Sequence, residues 1–313
     1  MRGSNAGSLA GSCQRAVLQM RNSFKCVALL MATGLFVSGC ASTVPEPTKS
    51  ATHDKLVDHA ARAALPTDIQ QSGKLRVGID TTYAPNEYQD SAGNPVGWEV
   101  ELMHAIAQKL GVRVEYHQVV FDSIIPGVQQ SKFDLGLSSF FDTTDRRKLV
   151  DMVDYYSAGI LWVQKANSTS VFPDKACGLA IGVQAGTFES DIDLPNKSRE
   201  CQRQKQDPIT VLEYSNQSDA NDAVELGRAS AFVADSPVSL FAIKESLGGL
   251  VQAGTVYSTL DYAMPTKQKS SLSKALRLAI QSAIDDGTYG RILHSWGVSA
   301  GAIAESKING VVR

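Results

Sequence analysis

The stretch KLRVGIDTTYAPNEYQDSAGNPVGWEVELMHAIAQKLGVRVEYHQVVFDSIIPGVQQSKFDLGLSS, residues 74–139, decides the fold class, because its apolar period keeps switching between that of a strand and that of a helix. Leu75-Arg76-Val77-Gly78-Ile79 alternates as a strand, and Asp80-Thr81-Thr82-Tyr83-Ala84-Pro85 follows as a loop. Ser91-Ala92-Gly93-Asn94-Pro95 reads as a hairpin turn. Beyond it, Val100, Met103, Ile106, Ala107 and Leu110 share one helical face, and Gly111 stands where a helix C-cap belongs. Val112-Arg113-Val114-Glu115-Tyr116 is a second strand, residues 121–130 a helix and residues 134–139 a third strand. This β-α-β-α-β order predicts an α/β fold with a parallel-type sheet and helical crossovers. Ligands in such sheets sit beyond the carboxyl ends of the strands, where the loops at residues 80–85 and 138–146 fall.

The same grammar returns downstream. Thr143 caps a helix that carries Asp145, Arg146 and Arg147. A strand at residues 179–183 leads into the loop Gln184-Ala185-Gly186-Thr187 and a helix. A strand at 231–234 ends in Asp235-Ser236-Pro237, and a strand-like stretch at 256–264 precedes a helix at 271–285. Two α/β units fit this pattern, with the final segment returning to the first.

Upstream, the chain differs in character. Of its 313 residues, 43% are apolar and 20% charged, which suits one large domain or two modest ones and excludes a disordered chain or a collagen. Residues 1–39 hold four basic residues and no acid, so the acidic excess of the whole chain lies in the body. An acidic body argues against nucleic acid as a partner. Arg15, Arg21 and Lys25 precede an apolar run from Cys26 to Val37, too short to cross a bilayer core of about 30 Å, so residues 1–39 read as an export signal. Met20 also opens a complete leader, and residues 1–19 are expected to be an over-extended reading frame.

Val37-Ser38-Gly39-Cys40 resembles the lipobox of bacterial lipoproteins. The resemblance implies cleavage before Cys40, lipidation of its sulfur and acyl anchoring at a membrane surface; an ordinary leader with an incidental cysteine is the alternative. Cys13 and Cys26 fall in the leader, which leaves Cys177 and Cys201. In an oxidising compartment these form a disulfide, against the alternative of two free buried thiols. Their spacing lacks a metal-ligand pattern, and neither metal nor cofactor is expected. Residues 40–71, with Pro45 and Pro47, read as a tether carrying a short amphipathic stretch at 53–65.

From residue 72 onward the chain resembles the family-3 extracellular solute-binding proteins, the amino-acid receptors of ABC importers. The words that carry the likeness are Val77-Gly78-Ile79-Asp80-Thr81-Thr82-Tyr83-Ala84-Pro85, Val96-Gly97-Trp98-Glu99-Val100-Glu101-Leu102 and Phe121-Asp122-Ser123-Ile124-Ile125-Pro126-Gly127. Phe133-Asp134-Leu135, Asp145-Arg146, Tyr155-Tyr156-Ser157-Ala158-Gly159, Gly186-Thr187, Ala234-Asp235-Ser236-Pro237 and Asp286-Gly287-Thr288-Tyr289 continue it in order, up to Trp296-Gly297. The resemblance implies a two-lobe, periplasmic-binding-protein-like (type II) fold with two hinge crossings, near residues 155–159 and 260–263. Lobe 1 is then 72–159 with 260–313, and lobe 2 is 160–259.

A free amino acid carries a carboxylate and an ammonium on one carbon, so its receptor needs a planar cation and a carboxylate. By resemblance, Arg146 forks onto the ligand carboxylate and Asp235 accepts the α-ammonium. Thr187 adds a donor from the second lobe, and Ser138 and Ser139 offer groups from the first. Tyr83 and Phe121 stack around the ligand side chain, Asp80 meets its polar head, and Gln184 varies with ligand identity. The bland alternatives are a surface arginine for Arg146, a helix cap for Asp235 or Thr187, a turn former for Asp80 and a core ring for Phe121. One departure stands out: Phe141 occupies a position where relatives carry Ser or Thr, so either Arg146 and backbone groups hold the carboxylate alone or the register shifts locally.

The expected function is an exported, lipid-anchored, monomeric receptor that binds a polar amino acid and delivers it to ABC permease subunits, and not an enzyme. A cyclohexadienyl or arogenate dehydratase on the same scaffold is the alternative. No residue in the sequence stands out as a general acid or base beyond what binding requires.

Overall fold

The computed structural model describes residues 56–310. The leader, Cys40 and most of the expected tether lie outside the described residues. Along the chain the strands are β1 (Lys74–Ile79), β2 (Thr82–Tyr83), β3 (Glu87–Gln89), β4 (Pro95–Val96), β5 (Arg113–Gln118) and β6 (Leu135–Gly136). They continue as β7 (Phe140–Phe141), β8 (Asp151–Lys165), β9 (Ala180–Gln184), β10 (Thr210–Tyr214), β11 (Ala231–Asp235) and β12 (Leu250–Thr266). The helices are α1 (His59–Ala63), α2 (Thr67–Ser72), α3 (Trp98–Leu110), α4 (Ile124–Gln129) and α5 (Thr144–Arg147). After them come α6 (Leu194–Arg203), α7 (Gln217–Glu225), α8 (Ser236–Glu245), α9 (Ser271–Asp285) and α10 (Thr288–Trp296).

The main sheet runs in the order β10-β9-β11-β8-β12-β6-β1-β5, with β7 paired on β12. At one end β1 lies parallel between β5 and β6; at the other β9 lies parallel between β10 and β11. These triplets are the sheets of two lobes. Joining them are the long antiparallel partners β8 and β12, paired from Lys165 with Leu250 to Asp151 with Thr266. The pairing slips between Ala253 and Tyr257, again between Tyr257 and Leu260, and between Tyr262 and Ala263. The first two slips lie upstream of the crossing expected at 260–263; such irregularities add twist, which lets one strand serve two sheets.

Helix α3 ends at Gly111, whose φ of +66° closes the last turn in the left-handed conformation expected of a C-cap glycine. Helix α9 buries Leu272, Ala275, Leu276, Ala279, Ile280 and Ala283, the helical spacing of a core-facing stripe, and packs on α3. Its position returns the C-terminal segment to the first lobe. There Asn309 Nδ2 donates to Asp151 Oδ1 at 3.0 Å.

The end of the expected tether is not a tether. Residues from Asp58 to Ser72 form α1 and α2, with Ala61, Leu65 and Ile69 buried in the main core. Asp58 caps α1 through Ala61 N–H at 2.9 Å, and Arg62 Nη1 donates to Gly111 O at 2.8 Å. The alanines at 60, 61, 63 and 64 leave α1 thin enough to lie against α9. The third strand expected at 134–139 also shrinks to Leu135–Gly136, because Ser138 turns its hydroxyl to Glu87 and Ser139 adopts a φ of +51°.

Candidate functional site

Strand ends and loops from both lobes converge on an interlobe cavity. All nine residues singled out from the sequence as ligand contacts line it: Asp80, Tyr83, Phe121, Ser138, Ser139 and Arg146 from the first lobe, Gln184, Thr187 and Asp235 from the second. Glu87, Phe141, Phe188 and Glu189 complete the lining. The lobes are closed on each other. Gln184 Nε2 donates to Asp80 Oδ2 at 2.9 Å, Arg146 Nη2 to Gly186 O at 3.1 Å, and Asp235 N–H to the Tyr83 hydroxyl oxygen at 3.1 Å. Gly186 permits this approach: at its φ of +76°, an added Cβ meets Asp122 Cβ across the cleft at 2.9 Å.

Arg146 and Arg147 are adjacent yet unlike. Arg147 grips the buried Asp142 through two bonds of 2.6 and 2.8 Å. Arg146 turns inward, its Nη1 donating to Phe141 O at 3.0 Å and its guanidinium lying 5.6 and 5.2 Å from the Phe121 and Phe140 ring centroids. It forms no ion pair among the described residues. Burial pulls its pKa down while Glu189, Asp191, Asp235 and Asp142 pull it back up. A guanidinium stays charged even so, and its unmatched charge faces the cavity.

Asp235 occupies the N-cap position of α8 but makes no capping bond with its side chain. Its Oδ2 accepts from Tyr262 Oη at 2.7 Å, and its Oδ1 is buried with no hydrogen-bond partner among the described residues. Burial first, and neighbouring Glu189 second, push its pKa well up. A hydrogen-bond donor is what that oxygen lacks.

Asp80 is both a turn former and a cleft residue. Thr82 N–H and Oγ1 donate to its Oδ1, while Phe121 N–H and Gln184 Nε2 donate to its Oδ2. Burial raises its pKa, and these bonds oppose the rise. Thr187 takes the capping role: its Oγ1 donates to Gln184 O at 2.9 Å and accepts from Ser190 N–H at 3.2 Å. Ser138 and Ser139 spend their hydroxyls on buried acids, with bonds of 3.0 Å to Glu87 Oε1 and 2.7 Å to Glu99 Oε1. Tyr155 Oη also donates to Glu99 Oε1, at 2.6 Å. Burial, then the facing Glu99, drives the Glu87 pKa well up.

Phe141 remains in the cavity wall, so no slip of register moves it away. Its ring meets Phe188 of the other lobe edge-on, with centroids 5.9 Å apart, and its backbone oxygen holds Arg146. An apolar ring therefore stands where the resemblance implies a hydroxyl. Away from the cleft, Cys177 and Cys201 are joined in a disulfide.

The profile of the bacterial extracellular solute-binding proteins, family 3, matches residues 75–299. The chain belongs to this family. It is similar to the arginine-binding protein ArgT of Corynebacterium glutamicum, with 35% identity over 79% of this chain and 82% of that protein. Among solved structures, it is similar to an ancestral arginine-binding protein bound to arginine, with 31% identity, a TM-score of 0.66 and coverage of 72% of this chain and 98% of that one. It also resembles the ancestral amino acid-binding protein AncCDT-1, a precursor of cyclohexadienyl dehydratase, at 28% identity and a TM-score of 0.62 over 73% and 97% of the two chains. The two lobes and two crossings are accordingly those of a type II periplasmic binding protein.

For this family-3 protein, sequence reasoning missed Glu87 and Glu189 as cavity residues. Glu87 sits between a proline and a hairpin, and Glu189 follows the Gly186-Thr187 word by two positions. Neither has a periodicity that points inward. The one available signal was the density of acids beside cleft words, at Glu87 and Glu99 and at Glu189, Asp191 and Asp193.

Proposed function

We propose that the protein is an exported receptor that captures a free amino acid with a polar, cationic side chain and delivers it to the permease subunits of an ABC importer. The observation that carries this reading is that Arg146 and Asp235, on opposite lobes, face one cavity with unmatched valences of opposite sign. A zwitterion supplies both partners, and only when the lobes meet, so binding favours closure. The lining beyond that pair holds Asp80, Glu87 and Glu189 and no second Lys or Arg, which favours a cationic side-chain head. The relatives named for arginine support the same class. Cys40 is the proposed lipid attachment site, holding a monomeric receptor at the membrane surface.

A thermal-shift screen of the twenty amino acids on protein from residue 41 onward tests the reading. Stabilisation by arginine, lysine or histidine above all others is expected, and no stabilisation by any amino acid contradicts it. The likeness to a dehydratase precursor gives an enzyme reading one foothold, although that precursor is itself named as amino acid-binding. Formation of phenylpyruvate from prephenate, or of phenylalanine from arogenate, decides for the enzyme.

A further inference from the structure

The second-lobe wall of the cavity holds an acid, Glu189, that the receptor reading counts only toward the charge of the lining and gives no contact of its own. Glu189 is 1% exposed and lines the cavity beside Asp235, whose pKa its charge raises. One oxygen of each, Glu189 Oε1 and Asp235 Oδ1, is buried without a partner among the described residues. Glu189 opens a π-helical turn, Glu189–Asp193, soon after β9, and Asp235 ends β11, the parallel neighbour of β9. Both acids belong to one lobe, so their adjacency does not depend on closure.

Two neighbouring carboxyls do not both stay ionised in a buried wall unless a cation lies against them. The groups around the pair supply none in direct contact. From β12, Tyr262 Oη donates to Asp235 Oδ2, and from β2, the Tyr83 hydroxyl receives the Asp235 backbone N–H. From the π-helical turn, Asp193 adds a further negative charge against Glu189. From α5, Arg146 attracts both acids, but its hydrogen bonds go to the carbonyls of Phe141 and Gly186. Asp191 and Asp142 add to the negative charge around Arg146. Burial raises the pKa of both acids, and the charge of Glu189 raises that of Asp235 further.

We propose that Glu189 is a ligand-contacting residue that shares one proton with Asp235 in the empty receptor, and that the ligand's α-ammonium replaces this proton on binding. The proposal rests on the receptor reading above. The empty pair holds one proton and a charge of minus one. When the ammonium arrives, the proton leaves to solvent, and a doubly charged pair faces a singly charged cation, so the wall's charge is unchanged. A shared proton bridges a single oxygen–oxygen contact, whereas an ammonium has three donors and serves both orphan oxygens. Affinity therefore rises with pH, by up to about tenfold per unit while the empty pair still holds its proton, and levels off above that range.

Calorimetric titration of the folded protein with L-arginine and with L-lysine, at matched pH in phosphate, MES and Bis-Tris, counts the protons. The expected result at pH 6 is an apparent enthalpy linear in buffer ionisation enthalpy, with a slope approaching one proton released per ligand. In Glu189→Gln the amide supplies its own hydrogen to Asp235, so the slope falls to near zero and affinity at pH 8 drops tenfold or more. Binding to the wild type without proton release overturns the proposal and leaves the receptor reading standing. Undiminished release in Glu189→Gln also overturns it, by moving the proton elsewhere, for instance to the Glu87 and Glu99 pair. No heat with either amino acid overturns the proposal and the cationic ligand class together.

Discussion

Two neighbouring arginines divide the work of the α5 turn. Arg147 is matched by Asp142, and Arg146 is matched by nothing but carbonyls and rings. Arg146→Ala and Asp235→Ala are each expected to weaken amino-acid binding by at least a hundredfold in calorimetry, since each strands a ligand charge in a closed cavity, a loss of about 2–5 kcal/mol. Arg147→Ala is expected to retain binding and instead to lower unfolding stability by about 1–3 kcal/mol, because Asp142 loses its partner. Local sequence could not separate these two residues: both follow the Thr143 cap within one helical turn, and the family word containing Asp145-Arg146 carried the distinction. The same limit hid Glu87, Glu99 and Glu189. An acid in a loop or a helix start looks solvated until the fold turns Ser138, Ser139 and Tyr155 toward it.

Among the elements, strands and helices with clear periods were legible. The helix at 271–285, the C-cap at Gly111 and the hairpin around Gly93 stand where the pattern puts them. The short α1 and α2 were not legible as part of the body, because the apolar residues of α1 are alanines, which gain burial only against the distant helices α3 and α9. Nor did the local pattern reveal the full length of β8 and β12, whose pairing partners lie about a hundred residues away. The pairing of Cys177 with Cys201 agrees with the expectation for the two cysteines left after the leader and the lipobox in an oxidising compartment, and not with two free thiols. It ties the 3₁₀ turn at Pro173–Lys175 to helix α6 across a separation of 24 residues. Cys177→Ser with Cys201→Ser is expected to cost about 3 kcal/mol in denaturant unfolding. Ligand affinity should change little, since neither residue lines the interlobe cavity.

At the scale of the whole molecule, stability carries a pH signature separate from binding. Asp154 on β8 is buried with neither carboxyl oxygen hydrogen-bonded among the described residues, and burial together with Asp142 and Asp261 pushes its pKa up to about 9. The unfolded chain gives up this proton near the ordinary value of 3.8, so the folded state binds it more tightly. Stability from this group is therefore complete below about pH 4 and declines as pH rises toward 9. Asp154→Asn is expected to flatten that decline and to raise the melting temperature at pH 8, by an amount equivalent to about 1–3 kcal/mol. An unchanged slope of melting temperature against pH places the titrating group elsewhere.

The clamp between the lobes is reached most directly by removing one half of the ligand rather than one half of the protein. Calorimetry of the wild-type protein with L-arginine and with agmatine, which keeps the guanidinium and an amine but lacks the α-carboxylate, isolates the partner of Arg146. A hundredfold or greater preference for L-arginine is expected, because agmatine leaves Arg146 unmatched inside a closed cleft. Equal affinity for the two molecules contradicts a receptor in which Arg146 on one lobe holds the ligand's carboxylate while Asp235 on the other holds its ammonium.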